Sequence, residues 1–423
     1  MSDYVSPEML EEILKRLPVK TLLRFKTVSK QWYDLITKPN FISQHLLHTT
    51  TMNTPHVLVR YRTPDPNRPS RLIEHYSLRF DNDDSFDEYT NLESPFNKYS
   101  AARFRIVGCC KGLVCLAYGL SGGKRYNFYL WNPSIRKRLI VPFKGLDSYW
   151  LHFGFGFDEL TNDYKVVAYA WPKASGVVQP RAEIYSLNSD IWQQISTNGL
   201  RYPLNFGVET ASLNWVTHWD VVDDTKVWGD PEREFIATFS FKDEVFSEMI
   251  LPRKGKGIMP HSPYRFLMIY QDLFAFVEVD GYGGTGPYKI WVMKNYGVQE
   301  SWTLLFEVSA CSGFDRPIGF RMNGELVLVS EDGELVRDSD SSRITLISCD
   351  PESKHVRGLV VIEDSEHDIG EFLDSFYLGR YVESLVLLDR VDSVPDHIGP
   401  SDGSLLMKEE NGVEESEKLH YEE

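Results

Sequence analysis

Three groups of residues in this chain have the types and spacing that chemistry needs. Gly281-Tyr282-Gly283-Gly284-Thr285-Gly286 satisfies the GxGxxG pattern of a dinucleotide loop and follows a strand-like run, Leu273 to Asp280. Such a loop holds a pyrophosphate only where it opens a helix whose N-terminal N–H groups face the anion. Here Pro287-Tyr288-Lys289-Ile290-Trp291 reads as a second strand, so the glycines are expected to turn a hairpin. Cys109, Cys110 and Cys115 offer soft ligands, but a zinc site needs four donors and no paired Cys or His set accompanies them. Their place in and beside a strand predicts burial as small apolar residues. His45 and His48 stand three apart on a predicted helix with no third ligand nearby, which fits packing or solvated rings. No Gly-x-Ser-x-Gly elbow, HExxH pair or Walker loop occurs, so no catalytic residue, metal or cofactor is expected.

The elements carry more information than these candidates. Ser6 can cap a helix whose first residue is Pro7, and Leu10, Ile13, Leu14 and Leu17 then recur at helical spacing as one apolar stripe. Pro18 stops that helix. Leu22, Leu23, Phe25 and Val28 form a second run, Ser29 can cap a third with Trp32, Leu35 and Ile36 inside, and a fourth starts at Pro39 and ends near Leu47. A block of about 40 residues buries too little surface to stand alone, and this one has no cysteine to staple it. It is expected to dock on the rest of the chain or on a partner.

At 423 residues, with 42% hydrophobic and 13% aromatic content, the chain has room for one small and one large domain. No run approaches a membrane span, and five cysteines fit a reducing compartment, so cytoplasm or nucleus is the expected location. The net charge of −16 is uneven: +2 over residues 1–47, −10 over 48–388 and −8 over 389–423. Nucleic acid is not an expected partner of such a surface, nor is membrane insertion. The acidic, Ser-, Gly- and Pro-rich segment 393–423 is expected to be disordered.

Between these ends, strand-like pairs recur. The first members include Val57-Leu58-Val59, Leu113-Val114-Cys115, Val166-Val167-Ala168, Asn214-Trp215-Val216, Phe274-Ala275-Phe276, Leu326-Val327-Leu328 and Leu385-Val386-Leu387. Turns after the second members fall at Asp81, Asn132, Asn188, Lys242, Lys294 and Asp350, a spacing of about 54 residues, close to the ~50 of kelch repeats. Each unit has room for four strands. The expected fold is mainly β: a β-propeller over residues 50–392, six blades favoured and seven the alternative, closed by a last strand at Glu383 to Leu388. Tryptophans such as Trp131, Trp192, Trp215, Trp291 and Trp302 fall inside strand pairs, which favours core packing over binding. Recognition is expected instead in irregular insertions: Arg62 to Arg71, Gly119 to Lys124, Pro172 to Pro180, Trp219 to Pro231, Pro252 to Pro263 and Gly281 to Pro287.

Two resemblances follow from these residues. Leu14-x-x-Leu17-Pro18-Val19-Lys20-x-Leu22-x-Arg24-Phe25-x-x-Val28-Ser29-Lys30-x-Trp32-x-x-Leu35-Ile36 resembles the F-box, with Ser6-Pro7 where Leu-Pro is usual. Gly112-Leu113-Val114-Cys115-Leu116, Leu130-Trp131-Asn132-Pro133-Ser134-Ile135-Arg136-Lys137, Phe153-Gly154-Phe155-Gly156-Phe157-Asp158, Asn162-Asp163-Tyr164-Lys165-Val166-Val167 and Tyr381-Val382-Glu383-Ser384-Leu385-Val386 resemble the F-box-associated domain of plant F-box/kelch-type proteins. The chain is similar to the branch with defence regulators and, more distantly, to pollen S-locus F-box proteins. The resemblance implies a non-catalytic substrate receptor of an SCF-type ubiquitin ligase. Residues 1–47 would bind a Skp-family adaptor, and through it cullin and a RING subunit, while the propeller would present a target protein for ubiquitination and degradation. It implies adaptor contacts among Pro7, Leu10, Ile13, Leu17, Pro18, Leu22, Val28 and Trp32. A scaffold acting with Skp outside a ligase, and a kelch-like propeller binding carbohydrate or another small ligand, are the alternatives.

Overall fold

The computed structural model describes residues 6–52, 56–65, 67–82, 86–95, 104–119, 126–144, 149–173, 179–200, 202–204, 210–221, 235–252, 264–279, 286–308, 315–331, 343–363 and 376–390. The acidic segment from 393 and most of five of the six candidate recognition insertions lie outside the described residues. The sixth, Arg62 to Arg71, is not the irregular loop expected: it continues one strand to Asp65 and begins the next at Arg68, the two paired antiparallel.

Four helices come first. Ser6 accepts from the Met9 amide at 3.2 Å and starts α1 (Pro7–Leu14), where the missing N–H of proline costs nothing. Pro18 opens α2 (Val19–Phe25), and Ser29 caps α3 (Lys30–Ile36) through the Trp32 amide at 3.2 Å. The last helix, α4 (Pro39–Met52), runs past the expected end near Leu47. Its extra turn is made of Thr49, Thr50 and Thr51, whose hydroxyls donate to carbonyls four residues back and so satisfy themselves without leaving the helix.

Twenty-four strands follow among the described residues. The first three are β1 (His56–Asp65), β2 (Arg68–Phe80) and β3 (Glu88–Leu92). Next come β4 (Phe104–Cys110), β5 (Leu113–Gly119), β6 (Tyr126–Asn132) and β7 (Lys137–Phe143), then β8 (Tyr149–Asp158), β9 (Asp163–Pro172), β10 (Arg181–Ser186) and β11 (Ile191–Ile195). They continue as β12 (Ala211–Leu213), β13 (Val216–Asp220), β14 (Phe235–Ser240) and β15 (Val245–Ile250), and as β16 (Tyr264–Tyr270), β17 (Leu273–Val279), β18 (Tyr288–Met293) and β19 (Trp302–Val308). The remainder are β20 (Asp315–Phe320), β21 (Leu326–Glu331), β22 (Arg343–Cys349), β23 (Val356–Glu363) and β24 (Tyr377–Tyr381).

These strands make six four-stranded antiparallel blades, five from consecutive strands and one in the order β24-β1-β2-β3. The ring is closed by β24, which pairs with β1 from His56 opposite Tyr381 to Arg60 opposite Tyr377 and packs on both β4 and β20. All six predicted turns fall where expected, after the third strand of each blade.

Two details differ from the sequence reading. The closing strand is Tyr377–Tyr381, and the apolar run Leu385 to Leu388 beyond it is a turn, with Leu387 at φ +73°. That run is apolar because it is buried between two bodies, not because it alternates across a sheet. Likewise Asn214 and Trp215, read as strand, occupy left-handed positions in a turn, and β13 begins at Val216.

Packing between blades accounts for several motif residues. In Phe153-Gly154-Phe155-Gly156-Phe157 the three phenylalanines enter one core with Val107, Leu113 and Phe128. The two glycines face the next blade, where a Cβ on Gly156 would lie 2.3 Å from the Phe241 ring. Tryptophans staple neighbouring blades: Trp192 Nε1 donates to Pro142 O at 3.0 Å and Trp302 Nε1 to Ile250 O at 3.0 Å. Polar clasps do the same. Asp81 accepts from Arg321 Nε at 3.1 Å and Met322 N at 2.9 Å, and Lys165 Nζ reaches Asp158, Glu244 and Phe241 O at 2.8–3.1 Å.

Antiparallel order within each blade sorts the connections onto two faces. The first-to-second and third-to-fourth strand turns share one face with the helices, since α4 enters β1 there. Second-to-third strand connections and those between blades leave from the opposite face. Five of the six candidate recognition insertions are of the first of these kinds, and Pro252 to Pro263 is of the second. All six therefore depart from the face away from the helices.

Candidate functional site

Among the described residues, the features whose types could do chemistry are placed as follows. The glycine-rich 281–285 lies outside the described residues, but β17 and β18 on either side pair antiparallel, so no helix follows the loop. Cys109, Cys110 and Cys115 are free thiols on β4 and β5, and burial pushes the Cys110 thiol up to about 12. His45 is buried, stacks on Phe41 and places Nε2 3.0 Å from Leu17 O, so it ties α4 to the end of α1. Among the described residues no group of three His, Cys, Asp or Glu could hold a metal.

What remains are the helical face and its seat. The stripe read from the sequence divides: Leu14 is buried, Leu10 and Leu17 are half-buried, and Ile13 is 48% exposed. Leu22, proposed from the motif as an adaptor contact, is fully buried with Val19, Ile36 and Phe41, so it supports the helices and offers nothing to a partner. Trp32 is half-buried and tilts on Phe25, with ring centroids 4.8 Å apart. Pro7, Ile13, Pro18 and Val28 are open. Met9 and Tyr33 join them, exposed at 59% and 48%. Sequence reasoning passed over Met9, although it lies four residues before Ile13 and hence on the same side of α1.

The other side of the helices is closed by the propeller and by the far end of the chain. Leu385 and Leu388 share a core with Leu14, Leu22, Ile36 and Phe41, while Leu387 between them enters the core of the second and third blades. Ile135, on the turn Pro133–Ile135, packs against α2. Asn132 fixes the segment: its amide nitrogen lies 3.0 Å from Ser384 O and Oγ and 2.8 Å from Val386 O. The Tyr381 hydroxyl meets Ser134 Oγ at 2.6 Å, Lys137 Nζ donates to Arg390 O at 2.6 Å, and Arg390 Nη2 donates to Leu187 O at 3.0 Å. Gly112, at φ +81°, lets the segment sit down, because a Cβ there would fall 2.2 Å from Ser384 Oγ. Burial raises the Glu383 carboxyl above its usual range, against the pull of Lys20 on α2.

Most motifs of the second resemblance therefore meet at one place. Gly112, Asn132, Ser134, Ile135, Lys137, Tyr381, Ser384 and Leu385 all belong to the joint between helices and ring, on the face away from the insertions.

Comparison with known proteins agrees with this geometry. The model of the F-box domain matches residues 5–44, and that of the F-box associated beta propeller domain matches residues 70–388. The F-box/kelch-repeat protein At3g23880 of Arabidopsis thaliana is 28% identical over 74% of this chain and 81% of its own length. F-box protein CPR1 of the same plant is 26% identical over 71% of this chain and 72% of its own. Among solved structures, TolB from Acinetobacter baumannii shares 14% identity over 77% of this chain and 66% of its own, with a TM-score of 0.41. Four helices with the F-box pattern, docked on a six-bladed ring that fits the propeller model, place this chain in the F-box family whose members carry an F-box associated beta propeller domain.

Proposed function

We propose that this chain is the substrate-recognition subunit of an SCF-type ubiquitin ligase. Its F-box binds a Skp-family adaptor, and through it cullin and a RING subunit. The propeller, residues 50–392, holds a target protein so that its lysines meet the charged conjugating enzyme at high effective concentration. No group of this chain takes part in bond making. The work belongs to the cytoplasm or nucleus.

The observation that carries this reading is the exposed apolar side chains that α1 and the α2–α3 turn keep after the helices have docked on their own propeller. Apolar groups left open on a small domain mark an interaction surface. We assign the adaptor contacts to Pro7, Met9, Ile13, Pro18, Val28 and Tyr33, with Leu10, Leu17 and Trp32 supporting them from beneath.

Ile13→Asp combined with Val28→Asp tests this without touching the buried core. Purified full-length protein is expected to lose Skp-adaptor binding by at least about tenfold while its melting temperature stays that of the parent. Adaptor binding at parental affinity by the double variant would falsify the assignment. Reconstituted ubiquitination with cullin, RING and conjugating enzyme, using proteins captured on the propeller as substrates, separates a ligase receptor from a scaffold acting with Skp alone.

A further inference from the structure

We infer that the F-box of this chain is conditional on closure of the ring: its helices acquire their stable core only when residues 382–390, which directly follow β24, are laid between them and the propeller. The inference deepens the adaptor reading, and only its second arm below rests on that reading.

The helices have two apolar sides and one is completed from the other end of the chain. Leu385 is fully buried and Leu388 nearly so against Leu14, Leu22, Ile36 and Phe41, more than 330 positions away in sequence. Without them the helical block is an assembly of about 40 residues with an open core, a size at which burial alone rarely holds a fold. The segment reaches this position only through the ring. It follows directly on β24, whose pairing with β1 closes the propeller, and Asn132, Ser134, Lys137 and Gly112 of the second blade hold it down. Leu387 enters the blade core and Val386 packs against both cores, so the segment is fastened on both sides. β24 itself packs on inner strands of two other blades, so it has no complete site until the blades between are in place. An incomplete or opened propeller thus presents no strap, and the adaptor-binding end is left without Leu385 and Leu388, two of the eight buried residues of its core. The consequence is a check built into the fold: a chain that cannot hold a target does not engage the ligase.

Hydrogen exchange of the full-length protein without any adaptor is the first arm. A chain ending at Arg390 is expected to protect the amides of α1, α2 and α3 like the parent. One ending at Tyr381, which keeps every strand, and the full-length Leu385→Asp/Leu388→Asp variant are expected to exchange those amides roughly 100-fold faster, with β16 to β19 unchanged. Equal helix protection in the chain ending at Tyr381 overturns the inference. Should that chain fail to fold, full-length Leu388→Ala decides: faster exchange confined to the helices supports the strap, and no change or a uniform change across helices and blades overturns it. The second arm measures binding to a purified Skp-family adaptor, which is expected to fall in the same variants. Unchanged binding with lost protection overturns the check, whereas no binding by the parent defeats the adaptor reading and leaves the helix-protection result standing.

Discussion

Three histidines show how a residue type that often signals chemistry can serve packing alone. His45, His152 and His218 are buried, and burial lowers all three from the usual imidazole value, His152 to about 3 and His218 to about 4. His218 is held between Ala211 O at 2.9 Å and the Tyr296 hydroxyl at 2.7 Å and stacks on Phe274. A ring that stays neutral when folded and takes a proton near pH 6.5 when unfolded contributes stability that is whole above 6.5 and is lost as the pH falls below it. Each such ring approaches about 1.4 kcal/mol of lost stability per pH unit on the acid side. Urea midpoints are therefore expected to hold from pH 7.5 down to about 6.5 and to fall from there to pH 5.5, and a flat profile over the acid half would rule out neutral burial. At this scale the sequence was a partial guide. Ser6 and Ser29 were legible as caps because a cap is local. The burial of Leu22 and the exposure of Met9 were not, because they depend on which side of each helix the distant Leu385 and Leu388 occupy.

Elements in this molecule are defined by the turns that clasp them. Turns after the third strands of several blades hold the neighbouring blade: Asp81 takes Arg321 and Met322, and Glu244 takes Lys165. Arg321 has no exposed side-chain surface, so its partner matters most. Asp81→Ala is expected to destabilise the chain by about 2–3 kcal/mol, somewhat less than a fully orphaned buried charge because Glu325 and Asn82 O still accept from Arg321. Chemical denaturation checks this, and a loss under about 0.5 kcal/mol would place the clasp among ordinary surface pairs. The same turns made the repeat visible in sequence, since Asp and Asn recur where a strand must end in a polar cap. The closing strand was misplaced by six residues for an opposite reason. Leu385 to Leu388 is the more apolar run, and local propensity cannot tell a strand from a turn buried between two domains.

As a whole, the molecule separates what it shares from what it does not. Three of the five stretches that carry the propeller resemblance meet at the joint on the helical face, and the irregular insertions leave from the opposite one. This is why the family was legible and the target was not: joint residues are dictated by packing, whereas insertion residues, on the function proposed above, would answer to a partner that the sequence does not contain. Replacing segments 120–125, 174–178, 222–234 and 281–285 with those of an At3g23880-like relative is expected to exchange the set of captured proteins and leave adaptor affinity within about twofold. Retention of the original captured set would move recognition to another surface.

The way β24 lies has a mechanical side. Its last residue, Tyr381, pairs with the first residue of β1, so tension drawn outward from residue 390 loads the Asn132 contacts and then the β24–β1 hydrogen bonds one after another from a single end. Bonds strained in series at one end peel at low force, while bonds sheared together do not. The ring would thus unzip readily when its carboxyl end is pulled, and the helices would come loose before the first blade opens.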